Sequence, residues 1–181
     1  MRIPTPGTAC AKVLSDLTEP RLLALLALAA ALAGCHQKSG DDASEVTFRT
    51  VEQGGRSAYV VPAEERVIVL VFTTQADFND FWLRHQAGVV PFPTTPVFDF
   101  RSRTVIAALA SARPAGGTAL HVDRAFLSGR TAELEVTEGT PAPGCAPGSA
   151  GTQPFHIIDL DGIADAASIR KYTQAVTACL P

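Results

Sequence analysis

Few residues in this chain have the type and spacing that chemistry requires. Cys145 and His156 stand close in sequence, and a thiol within reach of an imidazole is the pairing of a nucleophile with its base. Asp159-Leu160-Asp161-Gly162 offers two carboxylates as in a calcium loop. Its glycine, however, comes fourth instead of sixth and no Glu closes it at the twelfth position, so it reads as a turn. Ser149 in Pro147-Gly148-Ser149-Ala150-Gly151 lacks the G-x-S-x-G spacing of a hydrolase and has no helix after it. His36, His85, His121 and His156 are isolated from one another in sequence, so they show no metal-ligand spacing unless the fold brings them together. The expectation is therefore no catalytic residue, no metal and no cofactor. The alternatives are an enzyme whose pocket is lined by Cys145, His156 or Asp159, and a small-ligand cavity beside Trp82.

The strongest local signal is a different thiol. After Arg21, residues 22–34 run LLALLALAAALAG without a charge. That is shorter than the roughly 20 apolar residues needed to cross a membrane and matches the roughly 7 to 15 of an export-signal core. It ends in Leu32-Ala33-Gly34-Cys35: small residues flank a bond that a peptidase must hold extended, and the next residue is a nucleophile able to take a diacylglyceryl group. This resembles the lipobox of bacterial lipoproteins. The resemblance implies cleavage between Gly34 and Cys35, a signal peptide over 1–34, and a lipidated Cys35 inserted in the bilayer. The segment before the apolar run mixes Asp16 and Glu19 with Arg2, Lys12 and Arg21, and Cys10 would be lost with it. An ordinary secretory signal or an uncleaved apolar anchor are the competing readings. His36 in place of Asp after the cysteine favours the outer membrane where there are two membranes. Residues 36–45, HQKSGDDASE, carry no large apolar side chain, so 35–45 reads as a lipidated flexible tether. In an oxidising compartment the two remaining cysteines, Cys145 and Cys179, are expected to form a disulfide. Two buried thiols or a catalytic Cys145 are the alternatives.

Those sites must be placed by a single domain over 46–181. With 46% hydrophobic and 18% charged residues the chain is neither a disordered tail nor a polytopic membrane protein. Its 15 Lys and Arg are scattered over a chain of net charge −3, which argues against a nucleic-acid surface. Residues 66–72 form a continuous β-branched run, expected to be a central strand buried on both faces. Thr73 and Thr74 then offer capping hydroxyls, and Phe78, Phe81, Trp82 and His85 fall on one stripe of a helix over 75–86 that Gly88 ends. Residues 104–110, the alternation around Leu120 and Val122, residues 131–137 and residues 155–160 read as further strands, with Ser128-Gly129-Arg130 as a hairpin turn. Residues 46–51 and 58–61 read as a first hairpin around Gly54-Gly55, and residues 168–179 fit either strand or helix. The expected fold is α+β: a mostly antiparallel β-sheet or sandwich with one packed helix.

The order of these motifs carries a resemblance. It runs Phe78-x-x-Phe81-Trp82; Asp99-Phe100 before a strand; Arg113-Pro114-x-Gly116-Gly117; Pro141-x-Pro143-Gly144-Cys145; Gln153-Pro154-Phe155-His156; and a terminal Cys179. In this order, over residues 75–179, the chain resembles the C-terminal domain family of PrcB, a lipoprotein subunit of a bacterial surface protease complex. The resemblance implies a small β-rich domain outside the cytoplasm, concerned with protein stabilisation or assembly and without catalytic residues. Ser111-Ala112 and Thr118 depart from the family's Gly before R-P and aromatic after G-G. The loop with Arg113, Gly116 and Gly117 is thus the expected place for partner contact. The resulting expectation is a membrane-anchored, non-catalytic envelope lipoprotein that binds or stabilises another envelope protein.

Overall fold

A computed structural model describes residues 43–114, 116–145 and 150–178, all within the compact unit Ser39–Pro181. The expected signal peptide, Gly34, Cys35, most of the tether and Cys179 lie outside the described residues. The elements in chain order are β1 (Ser44–Val46), β2 (Phe48–Gly54), β3 (Val67–Phe72), α1 (Gln75–His85), β4 (Arg103–Ala110), β5 (Ala119–Ser128), β6 (Thr131–Pro141), β7 (Phe155–Asp161) and β8 (Ala166–Thr177). They form two four-stranded sheets of order β1-β5-β6-β8 and β2-β7-β4-β3. Every pairing is antiparallel except β6 with β8, which is parallel. The α+β sandwich expected from the sequence is the fold observed.

Strand β4, RTVIAALA, is apolar from Val105 onward because both its faces are covered. Ile106, Ala108 and Ala110 meet Leu120, Val122, Leu134 and Val136 of the other sheet, while Val105, Ala107 and Leu109 meet Phe78, Phe81 and Trp82 of α1. The result is three layers, sheet on sheet on helix. Thr74 caps α1: its backbone is extended (φ −136°, ψ 151°) and its Oγ1 accepts the Asp77 N–H at 3.2 Å. Gly129, at φ 60°, supplies the left-handed residue that the tight β5–β6 hairpin needs.

Three expectations are corrected. Strand β3 is only half-buried, with the opposite sheet against one face and the α1 cluster against the other, and it is the edge of its sheet, where β7 and β4 occupy the centre. Residues 58–61 make no hairpin with β2, which pairs with β7 instead. Pro62 has no N–H for a ladder, and Tyr59 and Val61 pack on the aromatic cluster around α1. The domain also begins earlier than 46, since Ser44 and Glu45 pair with β5 and the Arg124 guanidinium grips the Glu45 carboxylate with both nitrogens. The ambiguous tail resolves as a strand, β8.

Candidate functional site

The residues expected to act are mostly committed to the fold. Arg113 lies against Glu138, a carboxylate only 2% exposed, donating from Nε to Oε1 at 2.6 Å and from Nη2 to Oε2 at 2.9 Å. The Tyr172 hydroxyl donates to the same carboxylate. The guanidinium and the tyrosine hydroxyl hold the Glu138 carboxyl below its ordinary range against the opposing effect of burial. Gly116 is buried, and Gly117 sits at φ +80° where an added Cβ would fall 2.7 Å from Pro141 Cγ. This loop is seated on the end of β6 as a structural tie, and its arginine faces inward.

His156 is likewise occupied. Its Nδ1 accepts the Val122 N–H at 2.8 Å, so the ring proton is on Nε2, which donates to Thr50 Oγ1 at 2.8 Å. Both nitrogens are used, and the ring has nothing left to offer a Cys145 thiol. Burial, helped by the nearby His121, pushes its pKa down to about 4. The sulfur of Cys145 is itself in a disulfide; its expected partner Cys179 is outside the described residues. Asp159 is 2% exposed and accepts from Arg49 and Arg103, and Asp161 accepts from Arg103 and Thr47. The Asp159-Asp161 pair is thus an arginine-bound strand end. No cluster of metal-ligating side chains is present among the described residues. Trp82 is buried against Phe78 and His85 with its Nε1 3.4 Å from the Pro93 carbonyl, as part of the aromatic cluster under α1.

A different trio is assembled where β2, the loop after it and the end of α1 meet. Ser57 Oγ lies 2.8 Å from His85 Nδ1, and His85 Nε2 lies 3.1 Å from Glu52 Oε2. Glu52 Oε2 also accepts from Gln86 Nε2 at 2.6 Å. A carboxylate can only accept, so Glu52 fixes the ring proton on Nε2 and leaves the Nδ1 lone pair for the Ser57 hydroxyl. The imidazole is 2% exposed, stacked on Phe81 at 5.3 Å between ring centres and met edge-on by Phe155 at 4.4 Å. Desolvation lowers its pKa, and Glu52 opposes that effect without cancelling it, so the ring is a neutral base at neutral pH. Ser57 and His85 open on a cleft of about 710 Å³ that Arg56, Ala87, Val89, Ala112, Gly151 and Thr152 also line. Orienting acid, base and hydroxyl stand in one line at the wall of a cleft, the arrangement that activates a hydroxyl nucleophile.

Nothing in the sequence marks this trio. His85 reads correctly as part of the buried stripe, while Ser57 and Glu52 fit no motif, because only the folding of the β2 end onto α1 brings them together. The Ala58 N–H donating to the His85 carbonyl at 3.0 Å is the clasp that does so.

A second surface feature surrounds α1. The segment after the helix runs back along it, held by Gln75 Nε2 on the Pro96 carbonyl and Trp82 Nε1 on the Pro93 carbonyl. Apart from Val176, every strongly exposed large hydrophobic side chain among the described residues is on α1 or on the two segments beside it: Val60, Leu83, Val89, Val90, Phe92 and Val97. No family model, no curated protein and no solved structure matches the chain.

Proposed function

We propose that this protein is a lipid-anchored domain of the bacterial cell envelope, held to the bilayer through Cys35, that binds and stabilises another envelope protein with the flank built on α1. The observation that carries the reading is the gathering of Val60 (83% exposed), Leu83, Val89, Val90 (91% exposed) and Phe92 around one helix of an otherwise complete sandwich. Scattered exposed apolar residues are ordinary, whereas a concentration on one element marks a contact surface. The cores on both sides of the central sheet are closed without that flank, so its apolar residues are left over from folding. The resemblance of its motif order to the PrcB C-terminal domain family supports a role in protein stabilisation. The lipobox supports the anchor, and His36 after the cysteine supports the outer membrane in a two-membrane cell.

The test is site-specific photocrosslinking in intact cells, with the photoreactive residue placed at Leu83 or, as a control on the opposite sheet, at Glu133. One discrete envelope-protein adduct from Leu83 and none from Glu133 is expected, and Phe92→Ser should reduce it. Equal adducts from both positions, or none from Leu83, would overturn the assignment.

A further inference from the structure

We propose that Ser57 is a nucleophile, activated by His85 and oriented through Glu52, in an acyl-transfer site that cleaves small carboxylic esters. The inference goes beyond protein binding: its reacting groups, Ser57, His85 and Glu52, are not among the exposed apolar residues of the α1 flank, although Val89 borders both. Its basis is geometric: hydrogen bonds of 2.8 Å and 3.1 Å connect hydroxyl, imidazole and carboxylate in series, and only one tautomer satisfies both. The base is positioned on all sides, by Phe81 and Phe155 against its ring and by Glu52 at its far nitrogen. The nucleophile is positioned by its own turn, in which Ser57 Oγ accepts the Tyr59 N–H at 3.1 Å. Ser57 is half-buried and lines the cleft, which is the path for a substrate carbonyl.

The step balances without a metal or a redox partner. Ser57 Oγ attacks the ester carbonyl carbon as its proton passes to His85 Nδ1. The bond from carbonyl carbon to the leaving alkoxide breaks, and the alkoxide takes that proton from Nδ1, which leaves an acyl-Ser57. Water then attacks the acyl carbon as it gives a proton to Nδ1; the bond from that carbon to Ser57 Oγ breaks, Oγ takes the proton back from Nδ1, and the carboxylic acid leaves with the hydroxyl restored. Arg56, on the same cleft wall, supplies the positive charge for the oxyanion or for an anionic group on the substrate. The cleft volume of about 710 Å³ is of the size that takes a small-molecule ester.

A hydrogen-bonded trio that only ties a loop to a helix would share this geometry and lack reactivity, so the test must read reactivity. The full-length protein is treated with a fluorophosphonate probe, which reacts only with activated hydroxyls, and the labelled peptide is mapped by mass spectrometry. Covalent label on Ser57 is expected, absent in Ser57→Ala and slowed by about tenfold or more in Glu52→Gln. The labelling rate should fall on acidification as His85 takes a proton. Thermal melting confirms that each variant is folded. If Ser57→Ala does not fold, the position of the label in the unaltered chain decides the matter. A folded protein left unlabelled between about pH 5 and 8, or labelled elsewhere, would overturn the proposal. Neither result bears on the crosslinking from Leu83.

Discussion

His156, on β7, ties the two sheets together, since Thr50 is on β2 beside it and Val122 is on β5 across the core. A proton on Nδ1 would have to displace the Val122 N–H, and burial makes the added charge costly in any case. The folded ring therefore titrates at about 4, against an ordinary 6.5. Above pH 6.5 the ring is neutral whether the chain is folded or not, and stability does not change on its account. Between those values the unfolded chain takes up the proton and the folded one does not, so stability falls as pH falls, by at most roughly 3 kcal/mol. Denaturant unfolding at a series of pH values should show this loss between about pH 6.5 and 4. The lowered carboxylates Glu138, Asp161 and Asp165 add their own loss only at lower pH, as each approaches protonation. His85 is lowered too, by desolvation, and adds a loss of the same sign on acidification, so the comparison that isolates His156 is His156→Gln. That variant should start from lower stability at pH 7 and show a shallower slope. An unchanged slope would refute this role for the ring.

Among the elements, α1 is the third layer, held to the sandwich by its aromatic stripe. Phe78 is fully buried and meets Phe72, Phe81, Trp82 and Phe98 within 6.1 Å between ring centres. Truncating such a side chain to alanine costs about 3–5 kcal/mol through lost transfer energy and the cavity left behind. Phe78→Ala should accordingly lower the denaturation midpoint strongly, whereas Asn79→Ala on the exposed face should scarcely move it. The helix was legible in the sequence because stripe, cap and stop are all local: Phe78, Phe81, Trp82 and His85 on one face, Thr74 before and Gly88 after. Strand positions were less so. An apolar run such as 67–72 records that both faces are covered, and here α1 covers one of them, which leaves β3 free to be an edge. Whether a strand is central depends on which partner pairs beside it, and that is decided by residues far away in the chain. The same holds for Glu138. The alternation of β6 announces Ala132, Leu134 and Val136 as inward-facing, and nothing near Glu138 signals that Arg113 and Tyr172 will follow it into the interior. The Ser57–His85–Glu52 trio was hidden for this reason as well, although its histidine was in plain view on the helix.

At the scale of the whole molecule, the sandwich needs no membrane and no partner to close its core, which lies between two complete sheets and under one helix. None of the helices among the described residues is long and apolar enough to cross a bilayer. On the proposed reading, membrane residence therefore falls on the acyl chains of Cys35. Each buried methylene contributes about 0.8 kcal/mol, so one chain holds a protein reversibly and two or three hold it permanently. A single sulfur would then decide where the domain works. Cys35→Ser cannot take the diacylglyceryl group, and a peptidase that requires the modified cysteine would leave the precursor uncut. The expected result of fractionating cells is loss of the mature form from detergent-extracted membranes, with the variant recovered as a larger precursor or as released protein. Mass spectrometry of the unaltered protein should show an acylated amino terminus at Cys35. Normal processing and unchanged membrane recovery of Cys35→Ser would place the anchor elsewhere. The Leu83 crosslink would then have to be sought with a protein that meets its partner in solution, where the α1 flank gains no local concentration from a shared membrane.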